Sequence, residues 1–243
     1  MNWKRALGES ITIYKNHLPD YVRLSLIFSL GSLMAFGAPF FISFVVFAFT
    51  IGLSLPDAAS IPINIVFLLV SFVLGVAAYA AMKAAYYAGI FELYNRGTAH
   101  ALNYFSFARR HMAEAAACEA IICFVPMLAI TPIMIAGILM HSEAILITGG
   151  IIYFAFLTVT NYVSMFAYPA MVIDGYGSVA ALKKSLKTAS ENGREAPLFF
   201  ITLWLSQIAL VLIPVIGWII YAVAFLPVSA SAVTVFYRSK RTI

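Results

Sequence analysis

Two charged residues stand inside apolar sequence, and each could do chemistry in lipid. Lys83 follows the apolar run that begins at Ile61, and Glu119 lies a few residues into the run that begins at Ala115. Ionisable groups at such depth mark ion paths, proton relays or buried pairs. A Lys83–Glu119 pair between neighbouring helices would offset the desolvation of both charges. The alternative is that each side chain snorkels to the interface. A second group, His111, Glu114 and Cys118, falls on one helical face and has the residue types of a metal site. No fourth ligand stands near it in sequence, and neither a metal nor any cofactor is expected. Thr158, Thr160, Asn161, Tyr162 and Ser164 make one apolar stretch unusually polar. Asn161 facing lipid would cost free energy, so it faces protein or water. Interhelical hydrogen bonding is one use for it. Lining a cavity with Gln207 and Asn64 is the other.

No Ser-His-Asp elbow, HExxH pair, Walker loop or GxGxxG turn is present. Cys118 and Cys123 are five residues apart, about 140° around a helix. They cannot bridge each other and read as small buried apolar residues.

The elements that position these groups follow from composition. Hydrophobic residues make up 63% of the 243 residues and charged residues 10%; mean hydropathy is +0.96. Soluble domains carry roughly 25% charge, so a soluble fold, disorder, a disulfide scaffold and a soluble nucleic-acid binder are excluded. A spanning helix needs about 20 apolar residues. Six stretches qualify: Leu24–Leu55 interrupted by Pro39, Ile61–Met82 continuing as helix to Tyr94, Ala115–Met140, Ile145–Ile173, Pro197–Ile213 and Gly217–Tyr237. Pro126, Pro132 and Pro227 lie inside spans, where neighbouring helices can satisfy the freed carbonyls.

Three connections hold no Lys or Arg: Pro56–Ser60, His141–Glu143 and Pro214–Ile216. All 15 basic residues fall in the other segments. Positive residues stay on the cytoplasmic side of short-looped membrane proteins, so both termini are expected there. The charged N-terminal segment shows no cleavage site after a short apolar core, which reads as an uncleaved anchor.

The basic segments also carry helical stripes: Trp3, Leu7, Ile11, Tyr14 and Leu18; Leu102, Phe105, Ala108 and Met112; Val179, Leu182, Leu186 and Ala189. Each reads as an amphipathic helix lying in the membrane interface. The three align at Ala6-Leu7, Ala101-Leu102 and Ala181-Leu182, and each precedes two spans. The expected fold is an all-α, single transmembrane domain over residues 1–243. It holds three copies of interfacial helix, span, span, with bounds near 1–95, 96–173 and 174–243. Mitochondrial carriers also have three two-span repeats, but their Pro-x-Asp/Glu-x-x-Lys/Arg signature is absent.

The C-terminal third holds Tyr168-Pro169, Asp174-Gly175, an Ala181-Leu182-x-x-Ser185 helix, Pro214-x-x-Gly217, Pro227 and Tyr237-Arg238. Over residues 165–241 this pattern resembles the membrane domain of glycerophosphodiester phosphodiesterases and the related uncharacterised six-span prokaryotic membrane proteins. The hydrolase of that family is a separate soluble domain, so the resemblance implies architecture and no phosphodiesterase activity. Physically, Pro169 can bend the end of span four. Asp174 suits a turn or the start of the next helix, and Ser185 falls on that helix's polar, solvated flank.

These residues together lead to the expectation of a non-catalytic accessory, scaffold or lipid-contacting protein of the cell membrane. Its partners would be membrane lipids, a membrane protein or a second copy, and not nucleic acid. A small-solute or lipid transporter with a polar cavity between the repeats is the alternative, and an enzyme at the cytoplasmic face is a further one. The candidate intramembrane groups are Lys83, Glu119, Asn161 and Gln207.

Overall fold

The computed structural model describes residues 2–52, 57–99 and 101–241; they are almost wholly helical and include no strand. Helix α1 (Trp3–Asn16) starts where the Asn2 side chain accepts the Arg5 amide, satisfying one of the free donors of a first turn. After His17 the chain enters α2 (Leu18–Gly52). This helix runs unbroken through Pro39, so that proline does not interrupt the first apolar run. Helix α3 (Asp57–Arg96) continues past Lys83 and Tyr94 and stops at Gly97, whose φ of 71° a Cβ would disfavour. Of the expected Pro56–Ser60 connection, Pro56 lies outside the described residues, and residues 57–60 are the first turn of α3 and not a loop.

A short helix α4 (Ala101–Arg110) precedes α5 (Met112–Leu139), which contains Pro126 and Pro132. Helix α6 (Glu143–Ser164) is followed, after a break at Met165 and Phe166, by α7 (Ala167–Asp174). Gly175, at φ 70°, ends α7. Helix α8 (Ser178–Glu191) meets α9 (Glu195–Val211) at 107°. At 17 residues α9 is about 25 Å long, the short end of what crosses a hydrocarbon core.

The chain then turns at Val215, a β-branched residue at φ 59°, where positive φ is strained. Helix α10 (Ile216–Ile220), a π-helical turn (Tyr221–Phe225) and α11 (Leu226–Arg241) complete the fold. Gly217 is required at this turn: a Cβ there would stand 1.9 Å from the Leu210 carbonyl oxygen. Among the described residues, five helices are long and apolar enough to cross a membrane, or six if the bent α8–α9 pair is taken as one span. The chain is a helical protein built for a membrane.

Burial is uneven along these helices. Residues Tyr21, Leu24, Phe28, Ala81, Ala85, Tyr86 and Ile90 form one core with Tyr104. The α2 side chain of Leu24 and the α4 side chain of Tyr104 press on Gly89, where a Cβ would come within 2.9 and 3.2 Å of them. The alanines and glycine of α3 thus serve close approach, as small residues do between membrane helices. A second core stacks Phe166 and Phe199 on Phe236, at 5.5 and 5.2 Å. It includes Ala6 of α1 and Ala181 of α8. Helix α1 packs against α11 and α9, which joins the two ends of the chain. The opposite halves of the long helices expose their side chains, among them Leu33, Phe44, Leu128, Ile151 and Leu212.

Candidate functional site: an ion pair beneath an inter-helix cavity

Helix α3 carries Lys83 and α5 carries Glu119, and the two helices pack side by side. The Lys83 ammonium donates to both carboxylate oxygens of Glu119, at 3.2 and 3.1 Å. Neither residue snorkels away from the other. Tyr168 of α7 completes the cluster: its hydroxyl donates to Glu119 Oε2 at 2.6 Å. Its ring face lies 4.7 Å from Lys83 Nζ and stacks on Tyr87 at 5.7 Å. Glu119 therefore accepts three hydrogen bonds in a buried setting, the arrangement that makes a buried pair tolerable. Sequence reasoning placed the pair and missed its third member. Tyr168 carried no charge to draw attention, and it comes into reach only because the chain breaks at Met165.

Above the pair lies a partly open cavity of about 380 Å³. Lys83 and Tyr87 form its floor, Asn161 and Leu157 line the α6 side, and Trp204 and Gln207 line the α9 side. Helices α6 and α9 meet across it through two aromatic contacts, Tyr162–Phe200 at 5.4 Å and Phe154–Trp204 at 5.8 Å. Three of the four intramembrane candidates, Lys83, Asn161 and Gln207, thus share one cavity, and Glu119 stands directly behind Lys83. Asn64 does not belong there. Its amide donates to Thr50 in the α2–α3 hairpin at 3.0 Å.

The motif residues of the C-terminal third occupy helix breaks. At the break between α6 and α7, Ser185 is fully buried and not solvated, which corrects the expectation for that residue. Its hydroxyl donates to the Val163 carbonyl at 2.5 Å and accepts the Phe166 amide at 3.0 Å. One side chain of α8 thereby repairs two backbone groups that a broken helix leaves without partners. Pro169 stands just inside α7, where its missing N–H costs little. Asp174 closes α7 and accepts the Tyr237 hydroxyl of α11; it does not start α8. At the second break, Pro227 has no N–H for the Val223 carbonyl four residues back, and the Tyr14 hydroxyl donates to that carbonyl at 3.1 Å. Burial raises the Tyr14 phenol above its ordinary pKa. Pro214 and Gly217 make the turn between α9 and α10.

The protein-facing side of α8 is its Ala181, Ser185, Thr188 and Ala189 face, while Val179 and Leu186 are exposed. In α1 the same holds, with Ala6 and Ser10 buried and Ile11 exposed. The apolar stripes are split: Trp3, Leu7, Leu182 and Ala189 pack on or in the core, while Ile11, Val179 and Leu186 are exposed, and small and hydroxylic residues share the docking. His111 and Glu114 lie 4.0 Å apart, but Cys118 is buried in the core against Ala84 and Ala115. Among the described residues no three His, Cys, Asp or Glu side chains converge as a metal site.

Neither protein-family models, curated proteins nor solved structures yield a match to this chain.

Proposed function

We propose that this chain is a non-catalytic, lipid-contacting membrane protein that holds the polar end of an amphiphile or small solute in the cavity between α6 and α9. The observation that carries this reading is the shared lining of Lys83, Asn161 and Gln207, joined by the hydroxyl-bearing Ser164, Ser229, Tyr87 and Tyr168 among aliphatic and aromatic side chains. Ligand cavities commonly join a mostly apolar wall to a few convergent polar groups, and volumes of roughly 300–1,000 Å³ are typical. The cavity is partly open, which suits a ligand that leaves its apolar part among the helices.

The proposal includes the layout of three interfacial helices, α1, α4 and α8, each followed by a pair of spans, with α9 counted as a short fifth span. It places both termini at the cytoplasmic face of the cell membrane, since α1, α4 and α8 hold most of the basic residues. The C-terminal likeness to the membrane domain of glycerophosphodiester phosphodiesterases belongs to the same proposal. It rests on Pro169, Asp174, Ser185, Pro214, Gly217 and Pro227, to each of which a place in a helix end, break or turn gives a physical use.

Filling the cavity tests the reading. Leu157→Trp should expel a ligand that co-purifies with the wild-type protein, seen by native mass spectrometry as loss of a bound mass. Equal retention in both proteins refutes the assignment of the cavity. A transport role has its own reading on the same cavity. Uptake into proteoliposomes that is lost in Asn161→Leu or Glu119→Gln, with the fold retained, would promote it.

A further inference from the structure

The charge lining the cavity is one-sided: Asn161, Gln207, Ser164 and Ser229 can donate or accept, and among the described residues its one charged group is Lys83. The Lys83 ammonium has three N–H donors, and its contacts with the two Glu119 oxygens leave at least one for another partner. The Trp204 indole only donates. Tyr87 offers a phenol, and the Gln207 amide makes no hydrogen bond to the described residues. Asn161 spends one N–H on the Leu157 carbonyl at 2.8 Å and keeps a second. Among the described residues no carboxylate lines the cavity. Glu119 is behind Lys83, its side chain 8% exposed against 25% for Lys83. The dipole of the pair therefore turns its positive end to the cavity, and in a low-dielectric site such a dipole is poorly screened. Tyr168 reinforces this polarity, because its hydroxyl is already committed to Glu119.

We infer that the cavity selects an anionic oxygen head, a carboxylate or phosphate, held by Lys83 with Gln207 and Trp204 as further donors. This rests on the cavity being the binding site. An amine head would meet Lys83 directly and find Glu119 occupied by Lys83 and Tyr168. The anion can belong to a lipid-like chain or be free in solution; the recognition is the same, and the test separates the sources.

Trp204 supplies the readout, since Trp3 and Trp218 are the only other tryptophans in the sequence. A Trp3→Phe/Trp218→Phe protein in zwitterionic nanodiscs is titrated with dibromostearate and with the matching dibrominated octadecylamine. The acid should quench Trp204 at concentrations about tenfold lower than the amine, as the loss of one charge-assisted hydrogen bond implies. A Lys83→Met/Glu119→Gln protein, neutral at both positions, should lose that advantage. Gln207→Leu, on the cavity rim, should weaken the acid alone and serves where the double variant does not fold. Inorganic phosphate that displaces the acid supports a free anion as the source. Quenching by the acid that phosphate leaves untouched supports a lipid. Equal quenching by acid and amine overturns the anion assignment while leaving the cavity as a binding site. Quenching of Trp204 no stronger than that of Trp218, in a Trp3→Phe/Trp204→Phe protein, overturns the cavity reading itself.

Discussion

The end of the bundle near the basic segments and the end beyond it obey different rules. Near the basic segments, Ser10, Ser185, Ser231 and Thr234 are buried beside Phe166, Phe236 and Tyr86. Toward the turns at His141 and Val215, leucines, isoleucines and phenylalanines stand exposed. In water this distribution would be inverted. In lipid, burying a leucine gains little, because the surroundings are as apolar as the core. What brings helices together is close approach at small residues and the need to satisfy polar groups, and both are concentrated at one end. The glycine and alanines of α3, the Lys83–Glu119 pair, the Ser185 repair and the Tyr14–Val223 bond all lie there. The exceptions are Gly217, a tight fit within the α9–α10 turn, Gly137 and Gly149, where the α5–α6 hairpin closes, and the Asn64–Thr50 bond of the α2–α3 hairpin.

The largest effect separating the two ends should come from breaking the ion pair on one side only. Glu119→Ala leaves a buried ammonium without its carboxylate and the Tyr168 hydroxyl without its acceptor. Removing one member of a buried pair costs about 3–5 kcal/mol. Unfolding in mixed micelles should show a loss of that order, and Lys83→Met/Glu119→Gln should recover much of it. A single variant as stable as the wild type would mean that the packed end does not depend on its charges.

Next in size is Ser185→Ala. It strips the Phe166 amide and the Val163 carbonyl of a shared partner while leaving the volume nearly unchanged. A buried backbone group left without a partner costs about 1–3 kcal/mol. The loss should appear in the same unfolding assay, and Ser185→Thr, which keeps the hydroxyl, should lose less. Equal stability of Ser185→Ala and the wild type would mean that water or another group closes the break.

Much of this division was legible in the sequence, for a physical reason. Apolar runs and the sorting of basic residues depend on local composition, so the helices and the turns at His141 and Pro214 could be read directly, whereas the Lys83–Glu119 pairing stood as one of two readings. Ser185 and Tyr14 could not be read that way. Each makes its bond to a backbone group on another element, Val163 and Phe166 in one case and Val223 in the other, and backbone groups carry no sequence signal. The stripes were read as interfacial faces, and Leu186 and Val179 do stand exposed. What composition could not show is that Ala181 and Ser185 of the same helix are buried against the protein. Asn64 was grouped with Asn161 by residue type, but hairpin geometry gave it to Thr50.

The smallest effect is expected at the exposed end, and it sharpens the comparison most because the substitution is one that would damage a soluble protein. Leu33 on α2 is 69% exposed. In a water-soluble core, Leu→Ala costs about 2–5 kcal/mol through lost transfer and a cavity. Here the removed methyl groups faced lipid, lipid can fill the space, and no protein neighbour loses its packing. Leu33→Ala should therefore lie within about 0.5 kcal/mol of the wild type, as surface substitutions do. Phe28→Ala, one to two turns earlier and buried against Tyr86 at 4.8 Å, is the matched control and should be clearly destabilised. If Leu33→Ala instead loses as much as Phe28→Ala, the exposed half of α2 has a protein neighbour in the membrane, and a second copy or partner covers the surface that appears here as lipid-facing.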